Sequence, residues 1–172
     1  MINNILRSIL YFVVFVMFQV LFLNNIHYLR IATPFLYLYC IIKMPIGISR
    51  SGVLIFSFIT GLIVDMFSNT PGMHAGACTL VGLLREPLIH FLQGEDIADG
   101  LYPSYHSFGY AGFIRYVALF VFIHHVTLFL LEALTLFDPL FLLIRVGASV
   151  LMTILSICAV ELFNFESQKI GE

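Results

Sequence analysis

The side chains with most chemistry to offer stand inside otherwise apolar runs: Asp65, Arg85, Glu86, Glu132 and Arg145, with His90 and His125 among them. A charge at the centre of a bilayer costs at least ~2.5 kcal/mol unless it is paired or wetted, so each needs a partner or a purpose. Glu86 and His90 are four residues apart and share one helix face; His125 and Glu132, seven apart, share another. Carboxylates beside imidazoles can transfer protons or bind metal. A zinc hydrolase, however, sets its glutamate between two histidines in HExxH, and neither "LREPLIHF" nor "FIHHVTLFLLE" has that order. Adjacent His124 and His125 point about 100° apart, so at most one faces such a group directly. No serine stands in GxSxG, no glycine-rich phosphate loop is present, and Cys40, Cys78 and Cys158 lie far apart without a CxxC pair. The reading is therefore no enzyme, no metal and no cofactor. Arg85, Glu86, His90, His125, Glu132 and Arg145 read as an intramembrane polar cluster that fixes the helix arrangement.

The elements that must position these groups follow from composition. Of 172 residues, 60% are hydrophobic and 10% charged, against roughly 25% charged in soluble domains; mean hydropathy is +1.01. The scattered Lys and Arg form no basic patch for nucleic acid. Six apolar runs, about residues 5–23, 34–48, 51–67, 75–92, 112–136 and 139–163, predict an all-α polytopic membrane protein of six transmembrane helices in one domain, with a loop over 93–111. Thr33 and Pro34 suit the N-cap and first position of the second helix. That run is short, so Lys43 is expected to snorkel or the helix to be partly interfacial. Without Trp, any aromatic belt falls to Tyr11, Tyr28, Tyr102, Tyr105, Tyr110 and Tyr116. Pro87 predicts a bend beside Arg85 and Glu86.

Glu132 and Arg145 flank the turn at Asp138 and lie about 8 to 11 Å below the same helix ends, which predicts an interhelical ion pair. Small residues predict close packing of the third and fourth helices: Gly72 with Gly76, Cys78 with Gly82, and Ser57 with Gly61. With six spans, Arg7, Lys43, Arg50, Arg115 and Lys169 share one face against Arg30 alone. The positive-inside bias then puts both termini in the cytoplasm and Asp65 at the outer face. The loop 93–111, with Glu95, Asp96 and Asp99, becomes cytoplasmic, either a solvated connection or a contact for a filament protein.

In "ITGLIVDMFSNTPGMHAGACTL", Ile59 to Leu80, Gly61 permits tight packing, Asp65 ends an apolar face, Pro71 and Gly72 turn the chain, and His74 and Ala75 head the next helix. Three roles are open to Asp65: capping its turn, pairing with Arg145, or contacting a partner. The spacing G-L-x-x-D followed by P-G-x-x-A, carried by Gly61, Leu62, Asp65, Pro71, Gly72 and Ala75, resembles the signature of the MreD family of bacterial rod-shape-determining membrane proteins. "QVLFLNNIH" and "IHHVTLFLLEA" are similar to members of one branch of that family. The resemblance implies a non-catalytic scaffold subunit of the cell-elongation complex in the cytoplasmic (inner) membrane. It would bind an MreC-like single-span protein and help couple MreB filaments to a peptidoglycan glycosyltransferase and transpeptidase. It also implies a fold similar to the substrate-binding subunits of energy-coupling-factor transporters, which supplies the rival reading of small-molecule, vitamin-type uptake. The bulky first helix, "RSILYFVVFVMFQVLFL", lacks the small-residue spacing by which such subunits dock their energising partner.

Overall fold

The computed structural model describes residues 10, 12–19, 32–94, 97–133 and 139–170. Arg7, Tyr11, Tyr28, Arg30, Glu95, Asp96 and Asp138 lie outside the described residues, as does the side chain of Lys169. Residues 12–19 form helix α1. It is followed by α2 (Leu38–Ile42), α3 (Arg50–Ser68), α4 (Met73–Gln93), α5 (Tyr105–Ala133) and α6 (Pro139–Ile170). The apolar parts of α3, α4, α5 and α6 are each long enough to cross a membrane; the 19 residues of α3 rise roughly 28 Å, close to the thickness of the hydrocarbon core. The chain is a helical membrane protein.

α3 starts where Ser49 Oγ accepts the Gly52 amide at 3.3 Å and ends at Asn69 in the left-handed region, φ 55°, a conformation asparagine tolerates. α3 and α4 pack together most closely. A Cβ on Gly61 would stand 2.6 Å from the Ala75 backbone, and one on Gly82 2.8 Å from Ser57 Cβ. Gly76 meets only the tip of Leu131 at 3.6 Å, so the Gly72 and Gly76 spacing is not itself the contact.

The second run departs from expectation. Only five of its residues are α-helical, yet Pro34 to Ile46 are all buried. This broken segment threads the bundle rather than lining it. Thr33 does not cap α2; its amide donates to Ser149 Oγ of α6 at 3.1 Å. Lys43 does not snorkel: it is buried against Glu161 at 3.0 Å. α5 begins at Tyr105, not residue 112, because Gly109 (φ 69°, ψ 167°) joins two helical pieces across a kink. The connection before it is accordingly shorter and is tied down: Ile46 and Leu101 pair at 2.8 Å, as do Gly100 and Ile46. Tyr105 and Tyr116 are core residues rather than belt residues, while Tyr110 is exposed.

Candidate functional site

Asp65 lies in the last turn of α3 with only 3% of its surface exposed. Its carboxylate accepts the amides of Gly72 (3.1 Å), His74 (3.0 Å) and Ala75 (2.9 Å). It also accepts the Thr70 hydroxyl at 2.9 Å, and His74 Nδ1 lies 3.0 Å away. The first amides of a helix have no intrahelical acceptor and carry its positive pole. Gly72, the residue before α4, has no side chain to cap them. The preceding helix supplies the cap instead, with full negative charge. Gly72 adopts φ 85° to turn the amides toward it, and Gly61 lets the backbones meet one turn away. Gly61, Asp65, Pro71, Gly72, His74 and Ala75 thus occupy one interhelical turn. Among the three roles open to Asp65, the geometry is that of the cap; Arg145 is paired elsewhere.

The six residues grouped as one polar cluster are divided among three places, because their depths along the bundle differ. Near one end, Arg85 Nη1 meets Glu86 Oε1 at 2.5 Å and His90 Nε2 lies 3.9 Å from Glu86 Oε2. In the middle, His125 Nδ1 donates to the Val121 carbonyl at 2.8 Å, and its Nε2 is 3.2 Å from Thr153 Oγ1. At the α5–α6 turn, Arg145 Nη1 meets Glu132 Oε1 at 2.7 Å, the pair expected from matched depth, with the guanidinium over the Phe129 ring at 4.8 Å.

Sequence spacing missed the polar side chains that hold the broken segment. Non-helical backbone at membrane depth persists only where protein or a wet cavity satisfies it. Here Gln19 of α1 does both jobs, donating to the Pro34 carbonyl at 3.1 Å and accepting the Leu36 amide at 2.8 Å. Phe35 N–H donates to Thr153 Oγ1 at 3.0 Å; the Thr153 hydroxyl proton is then directed to His125 Nε2, consistent with a neutral ring protonated at Nδ1. At the far end, fully buried Arg85 donates through Nε to the Ile41 carbonyl at 3.1 Å and through Nη2 to the Met44 carbonyl. These carbonyls lie at and just beyond the C-terminal end of α2; that of Ile41 also accepts the Met44 amide at 3.3 Å, and a cation there complements the helix's negative pole.

Two further buried groups were not anticipated. Lys43 Nζ contacts Glu161 Oε1 and donates to the Pro103 carbonyl at 2.9 Å, while Tyr39 OH donates to Glu161 Oε2 at 2.6 Å. Tyr37 OH lies 3.0 Å from His124 Nε2, with Cys78 Sγ 3.8 Å from the same nitrogen. The signal available in sequence was a polar residue in each apolar run, with no indication of which long-range pairs form. Compared with known proteins, the chain matches no family model, no curated protein and no solved structure.

Proposed function

We propose that this chain is a non-catalytic scaffold subunit of the bacterial cell-elongation complex, an MreD-like protein of the cytoplasmic membrane with both termini in the cytoplasm. Its partner is an MreC-like single-span protein. Through that partner it helps couple MreB filaments to a peptidoglycan glycosyltransferase and transpeptidase. The observation that carries this reading is the use of the MreD-like signature: Gly61, Asp65, Gly72 and Ala75 together make one capped, close-packed hairpin. A motif spent on a rigid turn suits a protein whose product is a surface rather than a reaction.

The proposed architecture has six crossings, similar to energy-coupling-factor substrate-binding subunits, with the second made by the buried segment 32–48. The face offered to the single-span partner is on α1, where exposed Val13, Val14 and Met17 recur at helical spacing. The opposite face of α1 is used internally: Phe12 packs on Phe56 of α3 at 5.4 Å and Phe15 on Tyr39 of α2 at 4.8 Å. The uptake reading needs Arg85, Glu86, His90 and His125 around one ligand, whereas Arg85 is engaged by backbone carbonyls and His125 by Thr153. Depletion of the protein in its rod-shaped host tests the proposal. Cells that swell and lose constant width support it; unchanged width with impaired vitamin accumulation supports the uptake reading instead.

A further inference from the structure

Between the α2–α3 loop and the last turns of α4 lies an open cleft of about 570 Å³, lined in part by Arg50, Glu86, Pro87, His90 and Phe91. That volume falls within the range of small-ligand sites. We propose that this cleft seats a phosphoethanolamine headgroup of a membrane phospholipid, its phosphate between Arg50 and His90, its ammonium toward Glu86, and an acyl chain along α4.

Position is the first argument. Arg50 begins one membrane-crossing helix and Gln93 ends the next, so the cleft opens at the level of lipid headgroups. Charge is the second. Arg50 is exposed and sits at the positive pole of α3. His90 contributes an imidazole whose side chain is 37% exposed. Glu86 Oε1 is held by Arg85, leaving Oε2 facing His90 at 3.9 Å. A cation, an imidazole and a carboxylate side by side match a zwitterion with a hydrogen-bonding ammonium better than a simple anion. The third argument is the apolar path: Leu80, Leu83, Pro87 and Phe91 are exposed along α4 at spacings of three and four, and Phe91, at the cleft, is 80% exposed.

The test is the full chain in nanodiscs containing equal parts phosphatidylethanolamine, phosphatidylglycerol and phosphatidylcholine, with retained lipid counted by native mass spectrometry. Phosphatidylethanolamine is expected to be enriched over both others. Removing the cation in Arg50→Gln should lower its retention about fivefold, the order expected for one interfacial Arg, and Arg50→Lys should keep most of it. Enrichment of phosphatidylglycerol, absence of headgroup preference, or full retention in Arg50→Gln would each overturn the assignment. The lipid comparison requires no variant, so a poorly folding substitution does not spoil it. Competition by soluble phosphoethanolamine separates the sources: displacement of the lipid at equal concentration would make the occupant a soluble phosphoester, contrary to the proposal.

Discussion

Asp65 converts the end of one helix into the beginning of the next. A buried carboxylate accepting several N–H and O–H donors gains about 1.5 to 3 kcal/mol for each charged hydrogen bond. Asparagine presents one oxygen and an amide that opposes either the Gly72 and Ala75 N–H groups or that of His74. Asp65→Asn should therefore destabilise the protein by about 2 to 4 kcal/mol, read as a lowered unfolding midpoint in detergent; an unchanged midpoint would show that the cap is dispensable. The glycines around it divide by mechanism. Gly61→Ala drives a Cβ into the Ala75 backbone, where only separation of α3 and α4 gives relief, at about 1 to 3 kcal/mol. Gly72→Ala meets nothing within 4 Å and is opposed only by φ 85°, at about 1 to 2 kcal/mol. Expression and thermal melting of the two variants should rank Gly61→Ala as the more damaged, and the reverse order would contradict the close-packing account.

At the scale of elements, two long-range ion pairs of the described residues, Glu132 with Arg145 and Lys43 with Glu161, behave differently because their surroundings differ. Glu132 and Arg145 keep 28% and 24% of their side chains exposed, and Lys43 and Glu161 only 5% and 3%. Reversing one charge of either pair should lower folded yield. Reversing both should restore part of it for Glu132 and Arg145, since the pair forms again in the other direction. It should not do so for Lys43 and Glu161: a glutamate at position 43 would turn carboxylate oxygens toward the Pro103 carbonyl, an acceptor facing acceptors. Restoration in both cases, measured as monodisperse protein recovered, would remove the distinction. This contrast also marks how far sequence carries. The Glu132 and Arg145 pair is thirteen residues apart across one turn, so depth along two adjacent helices was enough to find it. Lys43 and Glu161 are brought together by the path of the broken segment, which no local spacing records.

For the whole molecule, the apolar runs made helices and membrane burial legible, and the Pro71–Gly72 turn located the α3–α4 hairpin. The second run was misread because its apolar composition reports burial, which is correct, without reporting whether its backbone is helical. That depends on Gln19, Ser149, Thr153 and Arg85 supplied by other helices, and without an alternative partner for its amides and carbonyls the segment would have to coil fully. The polar residues of the described bundle are largely devoted to this internal support, and the exposed side of α1 is left as an apolar face. That division accords with the proposed scaffolding role. Its most direct test is to tag the protein at the C-terminus, extract it from its native membrane in mild detergent and identify its companions by mass spectrometry. The account predicts recovery of a single-span protein with an extracytoplasmic domain together with wall-synthesis enzymes; recovery of paired ATPases and a coupling subunit instead would contradict it.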